Sequence, residues 1–62
     1  MKIALNGSIL ELPESSTAAD ALRKAGINRE TVLVKRLGWL ISELEQLKEN
    51  DVLETISVIS GG

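Results

Sequence analysis

Few groups in this 62-residue sequence could do chemistry unaided. Histidine, cysteine and tyrosine are all absent. That removes the commonest general base near neutral pH, the thiolate nucleophile and the usual soft metal ligands. Carboxylates, lysines, hydroxyls and the two chain termini remain. The most distinctive of these is the carboxylate behind Ser60-Gly61-Gly62. Glycine has no Cβ, so a Gly-Gly segment can thread a narrow channel in another protein with backbone angles denied to other residues. Residues 59–62, if extended, reach roughly 13 Å, enough to bring a carboxylate from a domain surface into a partner's active site. A terminal carboxyl has an ordinary pKa of about 3.5, so it is ionised and unreactive at neutral pH. It must be activated, for example as an acyl-adenylate, before it accepts sulfur or an amine. The sequence carries no phosphate-binding loop, so activation is expected to come from a partner enzyme. The two glycines are expected to be the natural end of the chain.

The composition narrows the other classes. Net charge is -2 and the sequence pI is about 4.9. Nucleic-acid domains carry basic stripes and stacking aromatics, whereas Trp39 is the single aromatic here. The acidic residues Glu11, Glu14, Glu43, Glu45, Glu49, Asp51 and Glu54 show no spacing that forces a metal site. No metal, no cofactor and no enzymatic activity of its own are expected. No apolar run approaches the roughly 20 residues needed to cross a bilayer. Met1-Lys2-Ile3-Ala4-Leu5 lacks the apolar stretch of a secretion signal, so the expected address is the cytoplasm.

The elements that must present that terminus can be read in order. Lys2 to Asn6 alternates, with Ile3 and Leu5 on one side, which predicts a strand. Asn6-Gly7 suits the positive φ angles of a tight hairpin turn. Ser8 to Leu12 resumes the alternation, with Leu10 and Leu12 sharing a face and Ile9 opposite. Pro13 ends the strand because it cannot donate to a ladder. Thr17 with Asp20 three residues on resembles a capping box, and Ala18, Ala21, Leu22 and Ala25 recur at helical spacing. Arg23 and Lys24 favour the C-terminal end of the helix dipole, and Gly26 is the expected closing glycine. A helix over residues 18–25 is too short to stand alone and must lay its stripe on a sheet. Thr31 to Lys35 predicts a third strand, Leu37-Gly38 a turn, and Trp39 to Ile41 a short fourth strand. Ser42 to Lys48 is expected to be irregular or one helical turn, pinned by Leu44 and Leu47. Glu49-Asn50-Asp51 predicts a turn with Asn50 at positive φ. Val52 to Ile59 is the last and longest strand.

The order β-β-α-β-β-turn-β predicts one α+β layer pair, a mixed four- to five-stranded sheet packed on one short helix. The first and last strands are the most apolar, so they are expected in the middle. A chain this short buries only about 60% of its unfolded surface, so the core is thin. The last strand is apolar on both parities: Leu53 and Ile59 on one, Val52, Ile56 and Val58 on the other. A single helix covers one face. The favoured expectation is an exposed apolar patch including Ile56 and Val58, the mark of a protein partner. The alternative is that residues 42–48 fold over it. Lys35-Arg36 is expected to be a solvated strand end, and Trp39 a packing or edge-strand residue.

Taken together, the Asn6-Gly7 hairpin, the capped helix 17–25, the turn at 49–51 and the closing Val58-Ile59-Ser60-Gly61-Gly62 resemble the ThiS/MoaD sulfur-carrier family. The resemblance covers the whole chain. It implies the ubiquitin-like β-grasp fold and a single ubiquitin-like domain over residues 1–62, with 60–62 a flexible C-terminal tail. It further implies that a ubiquitin-activating-like adenylyltransferase adenylates Gly62 with MgATP. A sulfur donor enzyme then converts the adenylate to a thiocarboxylate, and a sulfur-accepting synthase receives the sulfur. By position, Gly61 would provide clearance in the channel, and Ile56 and Val58 would dock the activating enzyme. Thiamin thiazole is the favoured destination, with molybdopterin possible. The same terminal glycine would also serve a tRNA-thiolation carrier or a protein modifier joined to lysines. The free chain is expected to be a monomer. Two departures stand out: Asn50-Asp51 where the family often has Gly-Asp, and Leu37-Gly38 where thiazole carriers often have Asn-Gly.

Overall fold

The computed structural model describes residues 1–58. Strand β1 (Lys2–Leu5) and strand β2 (Ser8–Glu11) form an antiparallel hairpin closed by Asn6 and Gly7 at φ 51° and 84°. Both positive angles belong to the primed turn whose twist matches that of the flanking strands. Helix α1 (Ala18–Ala25) follows, then a one-turn 3-10 helix (Arg29–Thr31). Strands β3 (Val32–Arg36), β4 (Trp39–Ile41) and β5 (Val52–Ser57) complete a five-stranded sheet of order β2-β1-β5-β3-β4. β1 and β5 run parallel inside the sheet, and all other pairs are antiparallel. The two most apolar strands are thus interior, as their composition requires.

The helix begins where the sequence predicts. The Thr17 hydroxyl accepts from the Asp20 N–H at 3.3 Å, and the Asp20 carboxylate accepts from the Thr17 N–H at 2.9 Å. This reciprocal box satisfies two otherwise unpaired donors of the first turn. Bonding to the Thr17 backbone N–H holds the Asp20 carboxyl below its ordinary value of 3.8, with the Thr17 hydroxyl and Arg23 acting in the same direction. Gly26 closes the helix in the left-handed region at φ 75°. The helix interior face, Ala18, Ala21 and Leu22, is fully covered and packs with Ile3, Leu5, Leu12, Val34, Leu47 and Leu53. Full burial of a leucine such as Leu22 contributes roughly 1.5–3 kcal/mol. Two turns of helix therefore persist through packing, which their length alone would not secure.

One expectation about the segment after β4 needs correction. Leu44 does not pin it, being 72% exposed, while Leu47 alone is buried. The segment is irregular and lies against the start of the helix: Ala18 N–H donates to the Glu45 carbonyl, Ala19 N–H to the Glu43 carbonyl, and Leu47 N–H to the Ser16 carbonyl. Side-chain apolarity did not decide the matter; backbone pairing to residues 16–19 did. The third strand starts one residue later than expected because Asn28 caps a 3-10 turn ending at Thr31. Arg36 is not simply solvated. Its side chain is 22% exposed, and its guanidinium donates to Asp51, Glu45 and the Gln46 carbonyl.

Candidate functional site

β5 is the element that carries the chain towards its C-terminus, and it occupies the centre of the sheet. On its helix-facing side Leu53 is buried in the core. Its other side faces no helix. There Ile56 stands opposite Leu33 of β3 and is 43% exposed, and Val58, just past the strand, is 44% exposed. Val52 lies beside Ala4 of β1, which in turn pairs with Ile9 of β2. Leu40 of β4 pairs with Lys35, which sits opposite Glu54. The open face is therefore two apolar groups separated by charge. One is Ile9, Ala4 and Val52. The other is Leu33, Ile56 and Val58, nearest the end of the described chain. Residues 42–48 do not cover it, since their backbone bonds run to the helix start on the opposite side.

The last described backbone anchor is Val58, whose N–H donates to the Thr31 carbonyl at 2.8 Å. Thr31 is itself held by the Asn28 cap through its hydroxyl, which donates to the Asn28 carbonyl at 2.9 Å. The strand is thus tied to the sheet up to the residue before Ile59. Gly61 and Gly62 lie outside the described residues. Leu33 and Leu40 belong to the open face and were not singled out from the sequence. Leu33 shares the parity of Lys35 on one strand, which was the available signal, but the pairing that sets Leu33 opposite Ile56 and Leu40 opposite Lys35 is not visible in sequence.

Trp39 lies on the edge strand, the second of its two expected places, and is 77% exposed. Beside it Leu37 and Gly38 turn the chain at φ 54° and 82°. Among the described residues no group of three or more metal-type ligands converges, and no helix is long and apolar enough to cross a membrane. Every buried side-chain nitrogen or oxygen among them has a hydrogen-bond partner. What the described residues offer is an exposed apolar face on the open side of the sheet, beside the end of β5.

No family model matches the sequence. The sulfur carrier protein TtuB of Thermus thermophilus is 34% identical, over 87% of this chain and 95% of that protein. The crystal structure of the thiamine biosynthesis protein ThiS from Geobacter metallireducens superposes over the whole of both chains with a TM-score of 0.74 at 22% identity. A solution structure of a thiamine biosynthesis protein from the same organism gives 0.68, covering this chain fully and 88% of that one. A mixed five-stranded sheet gripping one short helix is the β-grasp fold of small ubiquitin-like carriers. The chain belongs to the ThiS/MoaD-type family of ubiquitin-like sulfur carrier proteins.

Proposed function

We propose that this protein is a sulfur carrier whose reactive group is the carboxylate of Gly62, and that it is not itself an enzyme. The observation that carries the proposal is the central strand β5, held to the sheet through Val58 and continuous in sequence with Gly61-Gly62. Family membership supports the same chemistry. A ubiquitin-activating-like adenylyltransferase attaches AMP to the Gly62 carboxylate and releases pyrophosphate. A persulfide sulfur from the donor enzyme displaces AMP. A thiol of that enzyme then cleaves the sulfur–sulfur bond, leaving the thiocarboxylate. Gly61 gives the backbone clearance to enter the adenylating channel. Ile56 and Val58, with Leu33 beside them, dock the activating enzyme, because this apolar group is exposed and lies nearest the end of β5. The carrier acts in the cytoplasm as a monomer when free.

Thiamin thiazole is the recipient we favour, a reading supported by the fold shared with a protein named for thiamine biosynthesis. Co-expression with the cognate activating enzyme and sulfur donor, followed by intact-mass measurement, tests the carrier chemistry. The expected product is heavier by one oxygen-to-sulfur exchange and disappears when Gly62 is deleted. Persistent absence of that species in the full-length chain refutes the proposal. Thiazole-dependent growth of a deletion strain identifies the recipient, whereas a defect confined to molybdopterin or to thiolated tRNA would replace it.

A further inference from the structure

The Asn6-Gly7 turn holds a second reactive centre that the carrier chemistry does not use. An asparagine followed by glycine is chemically unstable in a mobile backbone. The Gly7 nitrogen attacks Asn6 Cγ, a carbon–nitrogen bond forms, and the Cγ–Nδ2 bond breaks. Nδ2 leaves as ammonia with the Gly7 amide proton. Water then opens the five-membered imide at either carbonyl, leaving aspartate or isoaspartate at position 6. Water is the single co-reactant. Gly7 has no Cβ to obstruct the attack, and the space beside it is open. Asn28 and Asn50, by contrast, precede Arg29 and Asp51.

In this fold the Asn6 amide is held at both ends by one residue of a different strand. Nδ2 donates to Thr55 Oγ1 at 2.9 Å, and Oδ1 accepts the Thr55 backbone N–H at 3.0 Å. The Asn6 backbone N–H also donates to the Leu53 carbonyl at 3.0 Å. The side-chain amide therefore acts as one more peptide in the parallel β1–β5 ladder. Cyclisation requires Cγ to swing to the Gly7 nitrogen, which breaks both Thr55 bonds.

We propose that Asn6-Gly7 is a latent deamidation site held shut by Thr55, so that separation of β5 from β1 releases its chemistry. The consequence is structural. Isoaspartate adds an atom to the backbone of a two-residue loop whose positive φ angles set the pairing of Leu5 with Ser8 and Ala4 with Ile9. Either product also loses the donor to Thr55 Oγ1. The strand that leads to the tail and the hairpin that carries Ile9 are thereby coupled through one amide.

The test is ageing of the full chain at mildly alkaline pH, read as the amide-to-carboxylate mass change and located by peptide mapping. The native protein is expected to deamidate at position 6 far more slowly than the same chain in urea. Thr55→Val removes one of the two clamping bonds and is expected to raise the rate about fivefold while circular dichroism stays native. Thr17→Ala is the control, since it loosens the helix cap and leaves both clamping bonds in place. Equal rates in native and urea-unfolded chain overturn the proposal. So does a Thr55→Val rate equal to the native one, or a rise with Thr17→Ala that matches it at equal stability.

Discussion

The guanidinium of Arg36 meets the carboxylate of Asp51 at 3.3 Å, and the same Asp51 oxygen accepts the Lys48 N–H at 2.8 Å. Side chains of the pair are only 22% and 18% exposed. One half-buried ion pair thus ties β3 to the turn that launches β5, and Arg36 also holds Glu45 and the Gln46 carbonyl. Such partly desolvated, shared pairs are worth more than open surface pairs. Arg36→Gln is expected to cost about 1–2 kcal/mol, seen as a lower urea midpoint with unchanged slope. A change within error would show that the network contributes nothing net.

Leu37 occupies the left-handed region at φ 54° and is 85% exposed. Neither its backbone nor its side chain gains from folding. Leu37→Asn retains the turn with a residue that tolerates this conformation, as Asn6 does at the other hairpin. Stability should rise by about 0.5–1 kcal/mol, or about 2–8 °C in Tm. A scanning calorimetry trace with an unchanged or lowered Tm would contradict the reading.

Asp20 sets a pH dependence. Its carboxyl is held below 3.8 in the folded state, chiefly by the Thr17 N–H. A depressed folded value means the contribution is fully present above 3.8 and fades as pH falls through the folded value. Asp20→Asn should therefore flatten the acid limb of the stability–pH curve and leave the curve's shape above pH 5 unaltered, measured by urea titrations across the range.

Leu22 is fully buried beneath the sheet. Leu22→Ala should cost about 2–5 kcal/mol. A domain of this size is stable by only about 3–9 kcal/mol, so the variant should lose a large share of its stability, seen as a markedly lower urea midpoint and Tm by circular dichroism.

On the open face, Ile56→Lys should leave Tm near the native value, because the side chain is already part-exposed, while raising the KM of the activating enzyme about tenfold. A lowered kcat with unchanged KM would place the effect elsewhere.

Much of the local architecture was legible in the sequence. Asn6-Gly7, Pro13, the Thr17–Asp20 box, Gly26 and Asn50 each act through backbone sterics or bonds spanning a few residues, so type and spacing suffice. The helix bounds at Ala18 and Ala25 follow from these stops. Leu44 and Leu47 looked alike because their difference lies in the backbone bonds that Glu43, Glu45 and Leu47 make with Ser16, Ala18 and Ala19. The partners of Arg36 lie 9 to 15 residues away, and that of the Asn6 side-chain amide lies 49 away, beyond any local pattern.

By itself the sequence determined the order of the strands and the bounds of the helix, the small α+β plan and the glycine pair on which the proposed chemistry rests. These depend on side-chain period, turn chemistry and the lack of a histidine, cysteine or tyrosine. The tertiary structure alone decided that one face of β5 stays open, which leucines join Ile56 there, and that Asn6 and Arg36 lock β5 in place. Those outcomes depend on which strands become neighbours, and neighbours in a sheet are chosen by packing across the whole chain.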